Sequence, residues 1–289
     1  MVGYEYLLES MDGNRDRTRG VSRRKVLERF FTSPTDGTME MHMPMVMYTP
    51  IEDLSLMAML PYMRKSMKHV TRDGVRFSER SEGIGDVQVR GLYTFWRSGG
   101  FKHRFLLNAG LSFPTGSINK KDFGPDRSVG QARLEYPMQL GSGTVDLLPG
   151  LTYLGETDLW SWGTEFIPTV RIGRNSHNYR LGNRYRLSGW GAWKWTEWLS
   201  LTGRMDGQIW QNIHGSDRVL DPMDEPTKDP EIQGGKRVDL LLGTNLFVPK
   251  GFLKGNRLSA EVGWPLYQFL DGRQLKTNWF VRVGWQWAF

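Results

Sequence analysis

Segments of about ten residues with strictly alternating apolar and polar side chains recur along this chain from end to end. Successive side chains of a strand point to opposite faces, so each segment reads as a strand with one apolar and one polar face. The last segment is the clearest. Trp279, Val281, Val283, Trp285, Trp287 and Phe289 share one face, while Asn278, Phe280, Arg282, Gly284, Gln286 and Ala288 share the other. Twelve such segments can be marked, at 1–11, 38–49, 54–67, 84–97, 102–115, 141–154, 159–172, 178–195, 198–213, 237–249, 256–267 and 277–289. Their connections alternate. Pro50 to Asp53, Ser98 to Phe101, Glu156 to Asp158, Thr196-Glu197 and Lys250 to Gly255 are tight, whereas 12–37, 68–83, 116–140 and 214–236 are long and polar.

An even number of strands with charged inner faces, apolar outer faces and alternating loop lengths is the pattern of a transmembrane β-barrel. The expected fold is therefore all-β: an antiparallel, up-and-down barrel of about twelve strands, a single domain over 1–289. A soluble sandwich would hide its apolar faces and would not need Trp and Tyr near both strand ends. In a bilayer those rings sit at the two water interfaces, and closure leaves no unpaired backbone edge in lipid. The chain carries twelve Trp, fourteen Phe, ten Tyr and thirty-four Gly, an unusual load for a helical enzyme. No run of 18 apolar residues exists, so a membrane-spanning helix is excluded.

Cysteine is absent, which removes disulfides and thiolate metal sites. The formal charge is +7, but Lys and Arg are dispersed, so nucleic acid is not an expected partner. The one basic tract, Arg15 to Lys25, reads as a solvated loop. The first residues lack a basic segment followed by an apolar one, and residue 1 already lies in strand pattern, so any signal segment is expected to have been removed. The expected location is the outer membrane of a Gram-negative bacterium, with the lipid bilayer as partner and both termini periplasmic. A terminal Phe289 after an aromatic strand agrees with that location.

Several stretches resemble a family of outer-membrane channel-like proteins labelled for the MetA pathway of phenol degradation. They are Gly83-Ile84-Gly85-Asp86, Leu111-Ser112-Phe113-Pro114-Thr115-Gly116-Ser117, Tyr136 to Thr144, Leu148 to Tyr153, and Met41-His42-Met43. The Pro-Thr-Gly element is the most specific of these. The resemblance implies a monomeric outer-membrane barrel and transport, and it supplies no substrate.

Eleven of the fourteen methionines fall within the first 67 residues, most at every second position. Placing apolar faces toward lipid fixes the register, because a one-residue slip turns every side chain over. Leu54, Leu56, Ala58, Leu60 and Tyr62 then face out, which sends Met57, Met59, Met63, Lys65 and Met67 inward. Val2, Tyr4, Tyr6 and Leu8 face out, leaving Met1, Glu5, Glu9 and Met11 inside. Val46 and Tyr48 suit lipid, so Met39, Met41, Met43, Met45 and Met47 are expected to face the lumen. The expected ligand-binding wall is thus Met39, Met41, Met43, Met45, Met47, Met57, Met59, Met63 and Met67 with Glu5 and Glu9.

Three readings of this wall stay open. Methionine is an adaptable filler of irregular gaps. Flexible thioethers also make a tolerant path for hydrophobic solutes. Thirdly, thioether sulfur prefers Cu(I), so Met41, Met43, Met57 and Met59 form a candidate copper or silver site, to which His42, of the wrong parity for the lumen row, adds imidazole only if the strand ends or bulges there. His69 near Met67 would add a second imidazole. Arg90, Arg104, Asp146, Arg171, Arg184, Arg186, Asp206, Asp239, Glu261 and Arg282 are among the charges expected on the remaining inner wall, where they can pair across the lumen.

No catalytic constellation is visible. The five histidines lack metal-ligand spacing, His103 has outward parity, and the Gly-rich elements precede strands rather than helices. Asp221 to Pro230 is acidic but lacks EF-hand spacing, so it reads as a solvated loop. The chain is thus expected to be a channel or transporter, not an enzyme, passing small hydrophobic solutes or soft metal ions. The competing class is a plugged barrel that acts as a scaffold for a periplasmic or surface partner protein.

Overall fold

The computed structural model describes residues 1–289, apart from the side chain of Phe101. Twelve staves form one barrel. They are β1 (Val2–Arg17), β2 (Thr32–Ile51), β3 (Leu54–Met59 and Tyr62–Thr71), β4 (Arg76–Ile84 and Val87–Arg97), β5 (His103–Phe113) and β6 (Asp146–Leu147 and Gly150–Glu156). They continue with β7 (Trp160–Arg171), β8 (Arg184–Lys194), β9 (Leu199–Trp210) and β10 (Gly235–Phe247). The unbroken extended run Asn256–Trp287 supplies the last two, β11 and β12. Its first leg pairs with β10 over 257–270 and its second with β1 over 270–287. The legs also meet each other: Gln268 Nε2 donates to Thr277 O at 2.6 Å, and Ala288 N to Gly255 O at 3.2 Å.

Each stave is antiparallel to the next, and β1 pairs with both β2 and β12, so the sheet closes. The fold is the expected all-β, up-and-down barrel. Its outer belt is apolar and exposed: Val46, Leu56, Val89, Leu107, Leu151, Phe166, Leu187, Leu242 and Val262 all face away from the lumen. A continuous apolar belt of this kind has no counterpart on a soluble monomer and matches a hydrocarbon layer. At the end that carries the termini and the short turns, Trp96, Trp160, Trp193, Trp195, Trp198, Trp285 and Trp287 form an exposed girdle. Trp193 stacks between Trp160 and Trp195, at centroid distances of 6.1 and 5.8 Å.

The strands are longer than the alternation indicates. Residues 12–17, 32–37, 68–71 and 76–83, expected as loops, are wall. Crossing the hydrocarbon takes about 9–11 residues of a tilted strand. β1 has 16 residues and β2 has 20, so both project beyond it at the long-loop end. There water replaces lipid outside the barrel. Arg64 pairs with Glu82, and Lys68 with Asp36, on the outer face. With polar residues on both faces the alternation vanishes, and a strand reads as a loop. The 141–154 segment is shortened instead: regular pairing begins only at Asp146, and the residues before it belong to the preceding loop.

Two staves are interrupted at the same level. β3 breaks at Leu60-Pro61, where proline has no N–H for the ladder, and β4 breaks at Gly85-Asp86. Below the breaks β4 pairs with β5, but β5 ends at Phe113, so the upper arm of β4 has no barrel strand on its far side. The loop 114–145 covers that edge, and Arg80 N donates to Asp122 Oδ2 at 2.7 Å. Inside the barrel, charges are paired within and across the staves. Arg204 meets Glu261 at 3.1 Å, and Arg237 meets both Glu9 at 2.7 Å and Asp239 at 2.9 Å. Arg171 pairs with Asp146, and Arg186 with Asp206.

Leu107→Arg, in the middle of the apolar belt, is expected to destabilise the barrel by about 2–4 kcal/mol in equilibrium unfolding from phospholipid. Arg76→Ala on the projecting wall should stay within about 0.5 kcal/mol of the native protein. Equal effects at the two positions would contradict this placement of the hydrocarbon.

Candidate functional site: the lumen

Directly opposed residues of an antiparallel pair share a face, so the register places the methionines. Glu5 lies opposite Met43 and Glu9 opposite Met39 across β1 and β2. Across β2 and β3, Met41 faces Met63, Met45 faces Met59, and Met47 faces Met57. Met67 lies opposite Gly37. Their even-numbered neighbours Pro44, Val46 and Tyr48 are exposed on the outside, whereas the odd-numbered methionines are half-buried and point into the barrel. Met45 lies against Gly3, where a Cβ would sit 3.0 Å from Met45 Cγ.

His42 does not join them. Its ring is on the outer face among Tyr4, Tyr6 and Tyr62, and Tyr4 Oη lies 2.6 Å from His42 Nδ1. Parity forces this outcome, because no bulge interrupts the pairing of 36–46 with β1. His42 is therefore removed from any metal set with Met41, Met43, Met57 and Met59. His69 is inward but is held among carboxylates.

The loop 114–145 supplies the part of the site that the strand pattern does not reveal. Residues 134–142 turn into the barrel mouth and lie on the methionine wall. Met138 and Leu134 pack on Met67, with Leu275 beside them. Lys65 Nζ donates to Pro137 O at 2.8 Å and to Gln139 O at 2.6 Å. Tyr136 packs against Tyr179, Ile213 and Leu220 from the other long loops.

A clasp at the interrupted staves holds this inward turn. The Asp86 carboxylate accepts from Gly116 N at 2.9 Å and from Ser142 N at 2.7 Å. Thr115 Oγ1 donates to Gly85 O at 2.7 Å and accepts from Val87 N at 2.9 Å. Gly116 and Gly141 cross so closely that a Cβ on Gly116 would sit 2.7 Å from Gly141 Cα. The Gly-Asp, Pro-Thr-Gly and Gly-Ser elements of the sequence thus meet at one point, and their conjunction is structural.

Beneath the loop lies a cavity of about 590 Å³. Met11, Met39, Met41, Met43, Met59, Met63 and Met67 line one side with Glu9, while Met45, Met47, Met57 and Glu5 lie outside its lining. The other side is polar and basic. Arg90, Arg171, Arg184 and Arg237 line it with Asp86 and Asp146, while Lys65 lies on the methionine side, between Met63 and Met67 on β3. Arg171 and Arg237 are paired with carboxylates, while Arg184 lies over the Trp210 ring at 5.9 Å. The cavity therefore has one thioether wall and one wall with excess positive charge.

A family profile described as "Putative MetA-pathway of phenol degradation" matches residues 23–225. The fold is similar to that of the COG4313 outer membrane channel from Pseudomonas putida F1, at 15% identity and a TM-score of 0.69. That likeness covers 100% of this chain and 94% of the channel. The β domain of the Bordetella autotransporter BrkA is also similar, at 12% identity and a TM-score of 0.51, covering 100% and 98% of the two chains. So is the transport unit of the autotransporter AIDA-I from Escherichia coli, at 9% identity and a TM-score of 0.51, covering 100% and 90%. The barrel thus resembles Gram-negative outer-membrane proteins. No curated protein matches the sequence.

Asp86→Ala removes the acceptor for two backbone N–H groups and should loosen the loop by about 1–3 kcal/mol. Single-channel recordings in planar bilayers are expected to show higher conductance and more gating noise than the native barrel. Unchanged conductance would mean that the clasp does not hold the constriction.

Proposed function

This chain belongs to the family described as the putative MetA-pathway of phenol degradation, and on that premise we propose that it is an outer-membrane channel for small amphipathic anions. The solute has an apolar body and one negative charge, as in an aromatic carboxylate. The observation that carries this reading is the two-sided cavity, with thioethers on one side and four arginines against two carboxylates on the other. Flexible, polarisable methionines accept apolar groups of varied shape. Opposite them, Arg184 offers a charge with no carboxylate on its own rung, since its partner in the register is Trp210. The volume of about 590 Å³ is within the range of pockets that hold a small organic molecule. Short turns at the terminal end and long loops at the other support periplasmic termini.

The inward loop gives the scaffold reading a foothold, and ion flow separates the two. Reversal potentials across a salt gradient are expected to show anion preference, and Arg184→Glu should reduce or invert it. Proteoliposomes should take up benzoate faster than a cyclic ammonium ion of similar size. A barrel that conducts nothing would sink the channel reading and leave the scaffold.

A second reading, passage of Cu(I) or Ag(I), is supported by the pairs Met41/Met63, Met45/Met59 and Met47/Met57, which put two thioethers on each rung. Replacing Met41, Met43, Met57 and Met59 together by Leu keeps apolar volume and deletes sulfur. Stoichiometric Ag(I) binding lost in that variant would favour the metal. Benzoate uptake within about two-fold of native, with no Ag(I) binding by either protein, would favour the organic solute.

A further inference from the structure

Away from the cavity, at the projecting end of the barrel, four ionisable side chains from four segments converge out of water. His69 comes from β3, Glu79 from β4, Glu135 from the loop 114–145 and Glu225 from the loop 211–234. Their relative exposures are 1%, 7%, 0% and 2%. One ligating atom from each lies within 4.8 Å of the others. Phe77 stacks on the imidazole at 4.9 Å and closes that side. Three carboxylates thus share a dry site with a single imidazole. Lys228, close by, has its ammonium on Asp224.

The polar atoms are aimed inward and left over. Neither Glu135 oxygen has a hydrogen-bond partner, and the same holds for Glu79 Oε2, Glu225 Oε1 and both His69 ring nitrogens. An unsatisfied buried carboxylate costs far more than an unsatisfied surface one, so such a cluster is neutralised by protons or by a bound cation. The imidazole is already oriented for one. Nδ1 lies 2.8 Å from Glu225 Oε1, while Nε2 faces Glu79 Oε2 at 3.3 Å and Glu135 Oε1 at 3.9 Å. Metal-ligating histidines are held in this way, with one ring nitrogen toward a carboxylate and the other toward the ion.

We propose that His69 Nε2, Glu79 and Glu135 form a binding site for a first-row divalent cation of the Zn²⁺ or Mn²⁺ kind, with Glu225 as the positioning residue for His69. Imidazole plus carboxylates suits such ions. The absence of thioether from the set separates it from any Cu(I) path along the methionines. Glu135 belongs to the loop 114–145 and Glu225 reaches His69 from the loop 211–234, so the bound ion ties the first loop to the barrel wall directly and the second through His69, which couples metal occupancy to closure of the mouth. This site stands independently of what the lumen carries.

The test uses the full-length barrel, purified in detergent, stripped with a chelator and titrated with Zn²⁺ or Mn²⁺ alone by calorimetry, with bound metal counted by mass spectrometry. About one equivalent is expected. Glu135→Gln and Glu79→Gln should each abolish stoichiometric binding, and Glu225→Gln should weaken it by about 10–100-fold. The variant with four methionines replaced by Leu should bind as the native protein does. Heat-modifiable gel mobility reports folding, so a misfolded Glu135→Gln leaves Glu79→Gln to decide. No binding by the native barrel, or binding unchanged in the folded carboxylate variants, overturns the site.

Discussion

Every backbone N–H and C=O that meets hydrocarbon must find its partner within the chain, and the pairing of β1 with both β2 and β12 is what makes that possible here. Once the sheet closes, the two faces of each strand meet different solvents. Leu107, Leu151 and Leu187 can be exposed at no cost on the lipid side, while Asp146, Asp206 and Asp239 are buried inside and must find arginines. Staves and lumen are two consequences of one closure. A charge on the wrong face would violate both.

Closure also explains the shape of the site. A smooth cylinder of twelve staves would leave an open pore, and here the pore is narrowed where β3 and β4 break. At the second break Thr115 takes up Gly85 O and Val87 N, and the Asp86 carboxylate accepts from Gly116 N and Ser142 N, which fastens the loop 114–145 to the wall. The same loop then lies over Met67 through Met138 and receives Lys65. What narrows the barrel is thus anchored in its wall, and the cavity beneath has fixed composition on both sides.

Much of the architecture was legible from alternation, because lipid outside and charge inside give adjacent residues opposite preferences. Leu54 to Met67 could be assigned face by face, and the odd-numbered methionines of β2 followed from Val46 and Tyr48. The signal failed where both faces meet water: Lys68, Arg76 and Arg80 lie on true strand yet read as loop. His42 could join Met41 and Met43 only through a bulge or a strand end, and the continuous pairing with β1 provides neither. The inward loop and the His69 cluster carry no periodic signal. Glu135 and Glu225 are ninety residues apart in unpatterned segments, and only tertiary closure brings them together.

The seam between β1 and β12 joins the first stave to the last. Glu9 accepts from Thr277 Oγ1 at 2.6 Å across 268 positions of sequence. Every other stave can find a partner as a local hairpin, but β1 keeps one bare edge until the final hairpin arrives. Loop-closure entropy of nearly the whole chain must be met before that contact gives anything back. Assembly therefore ends at a single long-range event, and until it happens the methionine-lined strands stand next to an open edge of the kind on which sheets from different molecules pair.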